Sequence, residues 1–313
     1  MITPVATHAP STEAAGSAGY VERPLLPPRT IDMRPVSHEF SRTIERAEVN
    51  AWLDLYAAAP ANFANRHQLS IARRGDLVWT TCPTIPFIHF NCAKNLGVNS
   101  PASEAELDAL LEHYRKAGVR RPWVYTSPHT EPAALPAWLE ARGLVRKSGW
   151  ERIFRDAAPL PDTPLFDTQG LSVERVTKTT ATEWAAFIDR LYRLPTSPWL
   201  LQLVDRPGWR HYALRRDRSV VAVRSLFIGE DGMGWSGIDA PVPGVMADSY
   251  ADDAILAESM VRDGLAAGAR MIVADIEAPL DNRDGPAYRN YERLGFRLPY
   301  FRAHYARVAA NSG

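Results

Sequence analysis

The chain has 313 residues, 46% of them hydrophobic and 23% charged, which suits about two domains with sizeable cores and excludes a wholly disordered chain. Lys+Arg 36 against Asp+Glu 36 leaves a net charge of +0, so no global field draws it toward nucleic acid or an anionic membrane.

Residues 1–29 are rich in Ala, Ser, Thr and Pro, lack helical or strand periodicity, and read as a flexible tail. They show no basic segment followed by an apolar run, and no later stretch approaches about 18 uninterrupted apolar residues. With only Cys82 and Cys92, the chain fits a reducing compartment, and a cytoplasmic protein is expected.

The spacing of Phe40, Ile44, Val49, Trp52, Leu53 and Tyr56 predicts a helix over 37–59. Short β-like runs follow in QLSIARR, DLVWTT and PFIHFNC, a predicted meander. Ser103 and Glu106 form a capping box before ELDALLEHYRKAG, which Gly118 stops. A strand in PWVYTS, a helix around LPAWLEARG and an extended LVRKSGWERIFR complete the first half. Residues 157–170, rich in proline, read as a linker.

The second half repeats this order. After strand 171–176 and helical material over 182–205 come three β-rich runs, WRHYALRRD, SVVAVRSLFIGE and MGWSGIDAPV. A helix DDAILAESMVRDGLAAG, a strand RMIVADIEA, a helix PAYRNYERLG and a terminal strand pair FRLPYFRAHYARV follow. Gly118 and Gly143 of the first half align with Gly268 and Gly295 of the second, pointing to an internal duplication.

Alternation along MIVADIEA sets Asp275 and Glu277 on one face with Val273 and turns Ile272, Ala274 and Ile276 the other way. On MGWSGIDAP, Asp239 shares a face with Gly237 and Trp235. Cys82, His89 and Cys92 have spacing that invites zinc, but on a strand His89 and Cys92 face opposite sides, so no metal is expected. His211 reads as a hydrogen-bonded strand histidine, or as a base if it faces a cleft. Trp199, Trp209 and Trp235 either line a pocket or fill a core. No phosphate-binding, dinucleotide, serine-hydrolase or zinc-protease motif occurs. The clusters at 73–76 and 215–218 read as solvated hairpin tips rather than nucleic-acid contacts.

The order meander, helix, strand, helix ending in Gly-Phe and final strand resembles the GNAT acyltransferase superfamily. AYRNYERLGF (287–296) carries the resemblance, supported by GLAAGARMIVADIE, over roughly residues 171–310. The first half resembles the same fold more weakly. The resemblance implies an α+β protein of two GNAT-like domains, 30–156 and 171–313, each a mostly antiparallel twisted sheet with flanking helices. It implies transfer of an acyl group from acetyl-CoA or another pantetheine thioester to a small amine-bearing substrate. Tyr291 takes the place of that superfamily's frequent general acid, or else simply packs its ring; Leu139 stands at the matching position of the first half. The base is Asp239, Asp275 or Glu277, and Gly237, Ile238, Ala240, Val242 and Asn290 are expected along the thioester.

One motif departs from the pattern. Where the superfamily usually has Gln/Arg-x-x-Gly-x-Gly/Ala, this chain reads Asp248-Ser249-Tyr250-Ala251-Asp252-Asp253. Without those glycine amides, and with three carboxylates in place of a basic residue, free CoA is expected to bind weakly. The acyl group then arrives on a pantetheine arm along 237–242, or on an acyl carrier protein. The same departure leaves open a GNAT-fold lyase or decarboxylase, or a non-catalytic small-molecule binding module.

Overall fold

The computed structural model describes residues 33, 35–168, 170–241, 249–277 and 286–307. The expected tail at 1–29 and two expected site positions, Val242 and Asp248, lie outside these residues.

Helix α1 (His38–Ala57) starts where Ser37 accepts a hydrogen bond from the Phe40 amide at 3.1 Å. Its buried face carries Ile44, Val49, Trp52 and Leu55, together with Glu45 and Glu48. A short α2 (Ala61–His67), not anticipated from the periodicity, precedes the meander β1 (Ser70–Arg74), β2 (Leu77–Thr81) and β3 (Cys92–Lys94). The segment expected as one strand through His89 instead makes a 3₁₀ turn at Ile88–Phe90. The Asn91 side chain holds that turn by donating to the carbonyls of Cys82, Ile85 and Phe87. Then come α3 (Glu104–Lys116), capped by Ser103 as the sequence predicts, β4 (Trp123–Thr126), α4 (Leu135–Ala141) and β5 (Leu144–Asp156).

The segment at 157–170 is anchored rather than loose: the amides of Leu165 and Phe166 donate to the Glu258 carboxylate. Beyond it lie β6 (Leu171–Arg175) and α5 (Ala181–Tyr192). The helix expected to continue to residue 205 breaks at Arg193, whose φ is 55°, and resumes as α6 (Ser197–Leu200). Asp189 fixes the break by accepting from the amides and hydroxyls of Thr196 and Ser197. The meander β7 (Trp209–Arg216), β8 (Ser219–Ile228), β9 (Met233–Ala240) leads to α7 (Ser249–Ala266), β10 (Met271–Glu277), α8 (Pro286–Arg293) and β11 (Arg297–Arg307).

The eleven strands among the described residues form one mixed, mostly antiparallel sheet in the order β1-β2-β3-β4-β11-β5-β10-β9-β8-β7-β6. The expected terminal strand pair is a single strand, with Pro299 at a register irregularity between Arg297 and Tyr300, where a missing N–H costs the ladder nothing. That strand does not stay with its own half: β11 lies between β4 and β5, while β5 pairs with β10. The halves therefore exchange their last strands. Helices α1, α2, α5 and α6 cover one face of the sheet, packing on Val223, Ala213 and Trp235; α3, α4, α7 and α8 cover the other. Gly143 and Gly295 end α4 and α8 at φ of 77° and 84°, the left-handed conformation that costs glycine little. Among the described residues no helix is long and apolar enough to cross a membrane.

Candidate active site

The sheet opens between β9 and β10. These strands run parallel from Met233 opposite Met271 to Ser236 opposite Ala274, and the ladder ends there. Just beyond, β9 slips one residue against β8 between Ser225 and Val223, and Ile238 takes a φ of 54°. This bulge turns β9 away while β10 continues along β5 to Glu277. The main chain from Gly237 on thus has no strand partner on its β10 side among the described residues.

A cavity of about 110 Å³ occupies the opening and extends toward α1, α5, α6 and the 3₁₀ turn. Its walls are largely aromatic, including Trp52, Phe90, Trp150, Tyr192, Trp199 and Trp235. Gly237 makes room for one of them: a Cβ there would sit 2.1 Å from the Trp235 ring, which folds back over the strand. Tyr192 braces the bulge, its hydroxyl donating to the Asp239 carbonyl at 2.7 Å.

Glu48, Asp239 and Asp275 give the cavity its charge, and among the described residues neither lysine nor arginine lines it. Behind these carboxylates lie two ion networks. In the first, Arg302 contacts Glu48 at 2.6 Å and Asp275 at 3.1 Å, and Lys94 contacts Glu48 at 3.1 Å. Arg152 also pairs with Glu48, and reaches Glu45 and Asp275 at 3.3 Å each. In the second, Arg224 reaches Asp253 at 2.5 Å and Asp239 at 3.2 Å, and donates to the Tyr291 hydroxyl.

Burial sets the protonation of these groups. It pushes Asp275 up to about 8 against the pull of Arg152, with Glu48 and Glu45 adding to the rise. It likewise lifts Asp253 to about 7 and raises Asp239, both against Arg224. Burial also pulls Glu48 upward, yet Lys94 and Arg152 hold it below its ordinary value. His89, on the cavity wall, is lowered to about 3 by burial and by Lys94, so it is neutral near pH 7. Among the described residues, the indole nitrogens of Trp52 and Trp235 and Ser236 Oγ find no hydrogen-bond partner, and one carboxylate oxygen each of Asp239 and Asp275 is met only by the ion-pair contact of Arg224 or Arg152.

The sequence-predicted residues separate on this map. Asp239 and Asp275 meet across the opening with Gly237 and Ile238, although the bulge breaks the simple alternation expected along β9. Val273 and Asp275 share a face as the alternation predicts, and that face turns to α1, while Ile272, Ala274 and Ile276 pack with α7 and α8. The Glu277 side chain lies outside the description. Ala240 is buried at the end of β9, and Asn290 sits in α8; neither lines the cavity. Tyr291 is 0% exposed, packs against Phe296 and holds Arg224, so it stands behind the Arg224 network rather than on the wall. Of the carboxylates expected to oppose an anion, Asp253 turns inward to Arg224 and Asp252 pairs with Arg216 at 3.7 Å. His211 is buried, bonded to Ser225 at 2.7 Å and lowered to about 4 by burial, away from the cavity. Trp199 and Trp235 line the cavity; Trp209 is core, donating to Asp54 at 2.7 Å. Glu48 and His89 were not anticipated as wall residues. Among the described residues no group of three or more His, Cys, Asp or Glu is placed to hold a metal ion.

No protein-family model matches this sequence, and neither does any curated protein. Solved structures do share the fold. A GCN5-related N-acetyltransferase from Kribbella flavida superposes with a TM-score of 0.57 at 17% identity, covering 87% of this chain and 96% of its own. A GCN5-related N-acetyltransferase from Sphaerobacter thermophilus gives 0.51 at 12%, covering 88% and 94%. A conserved protein of unknown function from Staphylococcus epidermidis gives 0.50 at 11%, covering 78% and 96%. The chain has the GNAT fold.

Proposed function

We propose that the protein is an N-acyltransferase that moves an acyl group from a pantetheine thioester to a small amine. The observation that carries this reading is the opening of β9 from β10 at Ser236 and Ala274, over an aromatic cavity bounded by Asp239 and Asp275. The unpaired β9 main chain offers N–H groups to a thioester carbonyl, where charge develops as the amine attacks. An amine at pH 7 arrives as ammonium and must lose a proton first. Asp275, held near 8, is matched to that task as general base. The C–N bond then forms, the C–S bond breaks, and the expelled thiolate takes up one proton. In this reading Tyr291 is a positioning residue that holds Arg224, and through it Asp239.

The donor follows from the start of α7. The 248–253 segment contains no glycine to bring amides against a pyrophosphate, so the pantetheine arm supplies most of the affinity. Acetyl-pantetheine and acetyl-CoA are therefore expected to serve with similar efficiency. The test is thiol release in the presence of an amine panel, with Asp275→Asn as the control. Turnover per folded molecule should fall by about 10²–10⁴ in that variant, whose melting temperature also drops as Arg152 and Arg302 lose a partner. Thiol release that is independent of amine, or undiminished in Asp275→Asn, overturns the assignment.

A further inference from the structure

The geometry points to an amine with a single positive charge and an apolar body as the occupant of the cavity, its ammonium against Asp239 and Asp275 and its carbon frame between the indole faces. Calling this occupant the acyl acceptor rests on the function proposed above; the binding argument stands on the cavity alone.

Charge comes first. Among the described residues three carboxylates line the cavity and no lysine or arginine does, while His89 is neutral. Behind the wall the Glu45, Glu48 and Asp275 carboxylates are matched by Lys94, Arg152 and Arg302. In the second network one guanidinium, Arg224, serves two carboxylates, Asp239 and Asp253, both raised by burial, so the pair shares a proton near neutral pH. A ligand ammonium beside Asp239 supplies the second cation that lets both carboxylates ionise. A zwitterionic amino acid would instead bring its own carboxylate against Glu48, with no cation among the described wall residues to receive it.

The protein also contains an example of an ammonium held by the same kinds of groups. Lys94 Nζ sits 3.1 Å from Glu48 and lies over the rings of Trp52 and Tyr125, at 4.7 and 4.4 Å from their centroids. Trp52 and Glu48 also border the cavity, where Trp235 and Trp150 add further ring faces and no internal ammonium is present. Attraction between a cation and an indole face is strongest where water is excluded. The largely aromatic walls favour an apolar body, since a heavily hydroxylated amine would find only a few polar partners there, such as the indole N–H groups of Trp52 and Trp235 and Ser236. Size fits as well: a cavity of roughly 150 Å³ holds benzene, so about 110 Å³ holds a short branched chain or part of one small ring, with the remainder in the open mouth.

Calorimetric titration of the full chain with 2-phenylethylammonium, 2-phenylethanol and phenylalanine, without any thioester, tests this. The amine should bind at least about tenfold more tightly than the alcohol or the amino acid. Asp239→Asn should remove most of the preference of amine over alcohol; because that ratio is taken within one folded variant, a general loss of structure cannot imitate it. Equal binding of amine and alcohol, tighter binding of phenylalanine, or no binding of the amine overturns the inference. Selective binding of the amine without acylation by any thioester breaks the acyltransferase reading and leaves this one standing. Acylation of polar or zwitterionic amines does the reverse.

Discussion

The two halves each place a helix-preceding strand parallel to the next strand, and they finish the resulting opening differently. In the first half β3 and β4 pair at Cys92–Trp123 and Ala93–Val124 before the ladder ends. The space beyond is filled by Lys94, 0% exposed, between Glu48, the Cys92 sulfur at 3.2 Å and the ring of Tyr125. His304 stacks on the far side of Tyr125 at 4.2 Å. In the second half a longer ladder gives way to the bulge at Ile238, and the space stays open. A buried lysine occupies the first junction and a bulge keeps the second open, and Glu48 and Trp52 border both.

The largest test of this contrast is Lys94→Met, which keeps the volume and removes the charge. It leaves Glu48 with less than its share of cation in a dry interior, and removing one partner of a buried pair costs about 3–5 kcal/mol. Urea unfolding should show that loss; a change under about 1 kcal/mol would mean the filled opening is held by packing alone. Gly237→Ala addresses the open side. The added methyl collides with Trp235, so the indole must swing out, with a cost of about 1–3 kcal/mol and a distorted wall. Amine affinity should fall more than the melting temperature does.

The pH profile sharpens the comparison further. Asp275 acts as base only when ionised and is held near 8, so kcat/KM should rise about tenfold per pH unit below 8 and level off above it. A plateau already established at pH 5 would show that Asp275 carries its charge throughout and is structural. The smallest effect is expected at Tyr291→Phe. Losing one hydrogen bond to Arg224 costs about 1 kcal/mol, and turnover should drop by roughly tenfold or less. A loss near 10³ would restore Tyr291 as an acid in contact with the reaction.

Much of this architecture was legible because local rules governed it. The Ser103 cap, the glycine that ends each repeated helix, and the alternation from Ile272 to Ile276 along β10 are short-range properties, and each sequence expectation for them is met in the structure. Asp275 was found by alternation because β10 is an unbroken strand. On β9 the same rule failed past Gly237, since a bulge inserts a residue without any residue type that announces it. Glu45 and Glu48 had a visible sign: two carboxylates on the apolar stripe of the predicted 37–59 helix, beside Ile44 and four residues before Trp52. Their partners Arg152 and Arg302 come from distant strands, and no local pattern joins them. His89 was placed on a strand because PFIHFNC alternates; the side chain of Asn91, bonding to three carbonyls, outweighed that pattern.

The exchange of β5 and β11 also constrains how the molecule can be made. During synthesis the first half emerges with β4 and β5 both present, yet these strands do not pair with each other; Val124 and Phe154 find their sheet partners at Tyr305 and Arg297. Until the second half has left the ribosome, two hydrogen-bonding edges in the middle of the future sheet stay open. Closing them requires contacts of very long sequence separation, a topology that folds slowly and exposes strand edges to other chains in the meantime. The pairing of β5 with β10 and β11 then makes the two halves interdependent, so loss of β11 alone would unmake the centre of the sheet and the floor of the cavity together.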